Sequence, residues 1–234
     1  MNAEPAFSGE SRYLALDTSG PVGSVAVSRG ANVLARIALT ARSEHASGLV
    51  PAIDRALAEA GVGRRELQGV VVGEGPGSFT GVRVAAATAK GLVHALSVPL
   101  WAISSLAAAA LAHDVGAIRY VLFDARSDRV YGACYGVGRT GVQTLVPPHA
   151  GTLRDALDGN VPGGAVFVGD AARRHCAAIE GAGFKVAPEE REVSLADGLL
   201  RYLALNPGAL PVSRVDIWEP RYVRASSAER LWTA

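Results

Sequence analysis

The sequence predicts an α/β protein made of two similar subdomains stacked side by side, each a mixed sheet with helices on its faces. An apolar strand ending on a carboxylate occurs twice, as Tyr13-Leu14-Ala15-Leu16-Asp17 and as Tyr120-Val121-Leu122-Phe123-Asp124. Each is followed by two further strand-like runs, giving two three-strand meanders. Each meander leads into helix, strand and helix, so the order β-β-β-α-β-α recurs in both halves. The expected division is 12–104 for the first subdomain and 105–234 for the second, with a helix at 195–205 packing back on the first.

In the first half, Gly23 to Ser28 alternates as the second strand, Arg29-Gly30 turns the chain, and Asn32 to Leu39 forms the third. The segment 43–60 reads as a helix with Leu49, Ile53 and Leu57 on one face, Pro51 inside it and Gly61 as its C-cap. Gly69-Val70-Val71-Val72 is short, β-branched and bounded by glycines, the pattern of a strand buried on both faces. A second helix follows at 82–96, then a strand at 100–103 and an alanine-rich helix at 104–112. In the second half, strands are expected at 129–135, 143–146 and 165–168, and helices at 152–157, 170–180 and 195–205. The tail Trp218-Glu219-Pro220-Arg221-Tyr222-Val223-Arg224 reads as extended.

Composition narrows the function classes. A hydrophobic fraction of 49% with 19% charged residues marks a globular chain. A formal net charge of +1 argues against a protein driven onto nucleic acid by its own field. Two cysteines, Cys134 and Cys176, supply neither a disulfide framework nor a metal spacing, which fits a reducing compartment. No apolar run reaches the ~18 residues of a membrane span, and the first dozen residues lack the apolar core of a secretory signal. A cytoplasmic location without membrane contact is the expectation.

The loop between Val72 and the 82–96 helix holds Gly73, Gly75 and Gly77 within five positions. Glycines there admit positive φ and a close approach to another surface, Pro76 stiffens the turn, and Ser78 or Thr80 can cap the helix. Free N–H groups at a helix start favour an anion. The common nucleotide patterns are nevertheless absent. No lysine follows the glycines at P-loop spacing, position 78 is serine where a dinucleotide loop needs glycine or alanine, and no acid occurs between Glu74 and Asp114 to hold a ribose. In the helix itself, Arg83, Lys90 and His94 form one narrow polar stripe among Ala, Val and Leu, so the helix must be buried on two sides. It is either an ordinary core helix or one shared with a partner. Asp17 and Asp124 would face each other across a cleft in a duplicated fold. They either cap turns or hold a hydrated metal against phosphates.

Leu14-Ala15-Leu16-Asp17-Thr18-Ser19, Ser43-Glu44-His45, Gly75-Pro76-Gly77-Ser78-Phe79-Thr80-Gly81-Val82-Arg83, Phe123-Asp124-Ala125-Arg126 and Pro220-Arg221-Tyr222-Val223-Arg224 together resemble the bacterial TsaB (also called YeaZ) family. The resemblance runs from Arg12 nearly to the end, with the motifs in order. It implies a duplicated actin-like, Hsp70-like and sugar-kinase-like fold of ribonuclease H-like topology. It also implies a role in making threonylcarbamoyladenosine beside the anticodon of tRNA, where TsaD transfers the group and TsaE and TsaB are its partners. TsaB is there the non-catalytic subunit, reaching tRNA only through the complex.

Catalytic relatives in this superfamily carry His-x-x-x-His on the helix after the third strand, two ligands one turn apart on one metal. Here His45 stands alone, with Leu49 in the second position, and His94, His113, His149 and His175 are too scattered to replace the pair. The adenosine region is reduced to Gly163-Gly164 before a strand and Gly169 after it. No catalytic residue, metal or tightly held cofactor is expected, beyond weak or interface-shared ATP or ADP; Asp17, Thr18, Ser19 and Asp124 would outline a vestigial nucleotide cleft. The two helices would instead dock on TsaD through His45, Leu49, Ile53, Leu57, Phe79, Arg83, Ala86, Ala89, Leu92 and Val93, small alanines permitting close approach. The same face would give homodimers in the absence of the partner. An ATP-dependent kinase or ATPase of the same fold is the alternative, with a metallopeptidase further behind. Arg214, Arg221, Arg224 and Arg230 would meet phosphates or form a solvated rim.

Overall fold

A computed structural model describes residues 7–40, 44–112, 117–188 and 194–223. The first sheet contains β1 (Arg12–Asp17), β2 (Gly23–Arg29), β3 (Asn32–Leu39), β4 (Gly69–Gly73) and β5 (Leu100–Ile103), ordered β3-β2-β1-β4-β5. Its meander is antiparallel, whereas β4 and β5 join in parallel through helical crossovers. The second sheet contains β6 (Ala117–Asp124), β7 (Arg129–Val137), β8 (Val142–Thr152), β9 (Val166–Val168) and β10 (Lys185–Val186), ordered β10-β9-β6-β7-β8. Strand for strand this is the same arrangement, so the fold is the duplicated actin-like one. β10, only two residues long, lies beyond what the pattern in the sequence revealed.

Two helices cover one face of the first sheet: α1 (Glu44–Ala60), packed against β2 and β3, and α2 (Phe79–Leu96), packed against β4 and β1. The reason is the period-4 repeat of small and branched residues. Leu49, Ile53, Ala56 and Leu57 of α1 and Ala85, Ala89 and Val93 of α2 fall on one side of each rod and join Leu14, Leu16, Val70 and Val72 in one core. At about 25 cal/mol per Å² of apolar surface removed from water, burying each large side chain contributes roughly 1.5–3 kcal/mol.

The opposite face carries α3 (Ser105–Leu111) and α7 (Leu195–Leu205), which pack on each other between the two sheets. Leu106, Ala110 and Leu111 of α3 share a cluster with Val121, Phe123 and Tyr135 of the second sheet. Leu199, Leu200 and Leu203 of α7 share one with Tyr13, Ala15, Val71 and Trp101 of the first. The helices cross at Gly198, where a Cβ would lie 2.0 Å from the Ala108 carbonyl oxygen. The second sheet's outer face is covered by α4 (Leu153–Asp158), α5 (Asp170–Arg174) and α6 (Cys176–Gly181). The helix expected over 170–180 is thus two short ones, broken at His175 (φ −109°, ψ 22°). Among the described residues, no helix is long and apolar enough to cross a membrane.

Candidate functional site

The loop after β4 closes onto the turn after β1. Ser78 N donates to Ser19 O at 2.7 Å, and Thr18 Oγ1 donates to Gly81 O at 2.6 Å. Ser78 is the N-cap of α2, its Oγ accepting from Gly81 N. The glycines are there because the loop lies directly on the β1 turn: a Cβ would sit 1.8 Å from the Asp17 carboxylate Oδ2 at position 73, and 2.5 Å and 1.8 Å from the backbone oxygens of Ser19 and Thr18 at 77 and 81. Those approaches account for a loop that looks like a phosphate cradle but holds its own chain.

Asp17 is fully buried beneath this contact. Its Oδ1 accepts from Ser19 N (2.7 Å) and Ser19 Oγ (2.6 Å), and its Oδ2 accepts from Ser105 Oγ (2.6 Å). Ser105 Oγ in turn accepts from Gly75 N at 3.1 Å, and Ser105 N donates to Gly75 O at 2.9 Å. One buried carboxylate therefore ties the β1 turn, the glycine loop and the start of α3 together, and charge-assisted bonds of this kind are the strong ones. Of the four residues expected to outline a nucleotide cleft, the structure joins Asp17, Thr18 and Ser19 in this internal network. Asp124 belongs to another: its Oδ1 accepts from Arg126 N (2.8 Å), Arg174 Nη1 lies 3.4 Å from its Oδ2, and its own N–H donates to Asp170 Oδ1 at 3.2 Å. Burial raises the Asp170 carboxyl above the ordinary carboxylate value, opposed by the N–H groups of Asp124 and Ala171. Gly169 (φ +104°) is needed for packing, its Cβ position being 2.3 Å from Leu122 O.

Glu74 lies in the same loop as Gly73, its side chain 15% exposed, with Arg221 Nε 3.9 Å from its Oε1. Burial holds its carboxyl above the ordinary value, and the Arg221 charge pulls only partly the other way. A group raised in the folded state binds its proton more readily there than in the unfolded chain. Its contribution is therefore full below the unfolded value and lost as pH rises through the folded one. Glu74→Gln, which cannot ionise, should gain stability relative to the parent as pH rises from 4.5 towards neutrality. Urea unfolding across that range measures it, and parallel pH profiles for parent and variant would contradict it.

The helix residues expected at a partner interface divide sharply. Leu49, Ile53, Leu57, Ala86, Ala89 and Val93 are buried in the chain's own structure, Leu49 and Ala89 completely. This corrects the expectation: the apolar face of each helix is used up by the sheet beneath it, so those side chains are unavailable to another protein. Leu92 is half-buried against the same core. Phe79 and Arg83 are exposed. The His45 side chain, His113, Arg224 and Arg230 lie outside the described residues. Leu49, where a second metal-binding histidine would stand, points into the core.

The surface actually presented runs along the other side of the rods. On α2 it includes Thr80, Ala87, Gly91 and Ala95, flanked by exposed Arg83 and His94, and on α1 it includes Ser47, Val50, Pro51 and Ala58 together with the charged Asp54, Arg55 and Glu59. Val50 is 55% exposed. A Cβ at Gly91 would meet nothing within 4 Å. Sequence reasoning missed this stripe because small residues occur on both sides of α2; the signal available was the two-residue offset of Gly91 from Ala89, which puts them on opposite faces. It also missed Ser105, Glu74 and the path of the tail. Arg214 is paired with Asp216 (2.7 Å) and Arg221 faces Glu74, so two of the four C-terminal arginines have internal carboxylate neighbours.

Known proteins resemble the chain in sequence and in overall fold. A family profile described as "TsaD: tRNA N6-adenosine threonylcarbamoyltransferase" matches residues 33–195. The "tRNA threonylcarbamoyladenosine biosynthesis protein TsaB" of Bacillus subtilis is 32% identical over 146 residues, which is 62% of this chain and 64% of that protein. Its Haemophilus influenzae namesake is 40% identical over 123 residues, 50% of this chain and 51% of that protein. The solved structure "YeaZ from Pseudomonas aeruginosa" superposes with a TM-score of 0.75 at 28% identity, covering 91% of this chain and 99% of that one. The chain belongs to the TsaB (YeaZ) family. The matched segments span about two thirds or less of these curated TsaB proteins, whereas the YeaZ structure is matched along nearly its whole length.

Proposed function

We propose that the chain serves tRNA threonylcarbamoyladenosine biosynthesis as a non-catalytic subunit that docks on a TsaD-type threonylcarbamoyltransferase and activates it. TsaE is a further partner, tRNA is reached through the complex, and the setting is the cytoplasm. The observation that carries the docking part is the outward stripe of Thr80, Ala87, Gly91 and Ala95 beside Val50 and Pro51 of α1. Small residues there allow a second pair of helices to approach closely, and a stable joint of this type buries about 800 Å² per partner. The same face, being on two adjacent rods, suits a two-fold homodimer when the partner is absent.

The non-catalytic part rests on the occupied interior. Asp17, Thr18 and Ser19, which a kinase or ATPase of this fold would turn towards phosphate and metal, are already bonded to Ser105, Gly81 and Ser78. That occupancy does not favour the alternative of an ATP-dependent kinase. Reconstitution decides: TsaD-type and TsaE-type proteins of the same organism, with tRNA, ATP and the threonylcarbamoyl donor, should modify tRNA only when this chain is added. Equal modification without it would refute the activating role, and loss of ATP turnover by the isolated chain in Asp17→Ala would favour the kinase.

A further inference from the structure

The tail covering residues 212–223 runs along α2 on its β5 side, opposite the side where α1 lies. Val212 N donates to Leu100 O at 2.7 Å, Lys90 Nζ donates to Asp216 O at 3.3 Å, and Arg221 N donates to Glu74 O at 3.1 Å. Val212, Val215 and Trp218 pack against the first core, and Lys90 lies 5.9 Å over the Trp218 ring. These attachments deliver Tyr222 to the first turn of α2. Its ring centroid is 5.5 Å from that of Phe79, and the Arg83 guanidinium sits 3.8 Å over Phe79 and 5.7 Å from the centre of Tyr222. Arg83 Nε donates to Tyr222 Oη at 3.1 Å.

Both rings remain 42% exposed, an uncommon state for aromatic side chains that usually bury most of their surface. Beside them is a notch of about 30 Å³ lined by Pro76, Gly77, Val82 and Tyr131. A guanidinium carries five N–H donors, and the Tyr222 hydroxyl takes one. No carboxylate pairs with Arg83 among the described residues, a state it shares with exposed Arg65, Arg126 and Arg139; what sets Arg83 apart is its stacking on Phe79 and its bond to Tyr222. Arg83 also lies one turn from Thr80 and Ala87, on the edge of the docking stripe.

We propose that Phe79, Arg83 and Tyr222 form a preorganised clasp that receives a carboxylate side chain of the TsaD-type partner, with the tail acting to hold Arg83 in place. This rests on the docking reading above and adds the chemistry of its anchor. A guanidinium already stacked and hydrogen-bonded loses little freedom on binding, and planar forked donors match a carboxylate. Buried Arg and Tyr contacts of this kind dominate protein interfaces.

The test is titration of the full chain into the TsaD-type protein of the same organism, at low and high salt. Arg83→Gln should weaken binding about 30-fold, the size of a hot-spot truncation, and flatten its salt dependence. Arg83→Lys, which keeps the charge without the fork, should recover only part. Tyr222→Ala should weaken binding in the same direction, and the double variant should be no worse than Arg83→Gln alone, because Tyr222 acts through Arg83. Additive losses, or an Arg83→Gln variant that binds like the parent with the same salt dependence, overturn the clasp. Gly91→Arg separates the two ideas: if it abolishes binding while Arg83→Gln binds like the parent, the docking face stands and the clasp falls. If Arg83→Gln weakens binding about 30-fold and Gly91→Arg binds like the parent, the clasp stands and the helix face falls.

Discussion

Gly81→Ala should destabilise the protein by about 3 kcal/mol or more, although alanine is the better helix former by roughly 1 kcal/mol. The added methyl would lie 1.8 Å from Thr18 O, so the α2 start and the β1 turn cannot both keep their positions. Moving either one breaks the buried Thr18 to Gly81 bond of 2.6 Å, and an orphaned buried polar group costs about 1–3 kcal/mol. Against a total stability of about 5–15 kcal/mol, that is a large fraction. Gly91→Ala on the same helix is the control. Its Cβ meets open space, so only the propensity remains and the protein should gain up to about 1 kcal/mol. Urea midpoints for the two variants should therefore move in opposite directions. A neutral Gly81→Ala would mean that the loop does not lie against the β1 turn as described.

That contrast also marks how far the sequence could be read. The duplicated architecture was legible because Leu14 to Asp17 and Tyr120 to Asp124 are strong strands with the same ending, each followed by a meander of alternating residues. The N-cap role of Ser78 was legible for the same local reason, a hydroxyl directly before a helical run. The direction of α1 and α2 was not. In α2, rich in Ala, Val, Gly and Leu, the inward row Ala85, Ala89, Val93 and the outward row Ala87, Gly91, Ala95 have the same spacing and are both free of polar side chains. Only the sheet beneath distinguishes them.

Long-range contacts were equally hidden. Asp17 and Ser105 are 88 positions apart, and Arg83 and Tyr222 are 139 apart, so no local pattern joins them. The turn after β6 is a different case: Arg126, Ser127 and Asp128 all have positive φ (61°, 52° and 55°), a conformation that non-glycine residues rarely adopt in succession. The sequence carries no glycine there to signal it.

The stripe on α2 gives the other large effect. An arginine at position 91 would project into open space in the isolated chain, without disturbing its core. Between two closely packed pairs of helices, the same side chain has no room, and burying its charge without a partner costs roughly 3–5 kcal/mol. Each 1.4 kcal/mol is tenfold in affinity, so Gly91→Arg should raise the Kd by about 100-fold or more. Leu92→Arg would be a poorer probe, because Leu92 packs partly against the first core and its loss would confuse folding with docking.

The most direct measurement is calorimetric titration of the parent chain and of Gly91→Arg, matched for urea midpoint, into the TsaD-type protein of the same organism. Saturable binding by the parent and none detectable for Gly91→Arg is the expected result. Equal affinity of the two would contradict the assignment of the outer face of α1 and α2 as the docking surface.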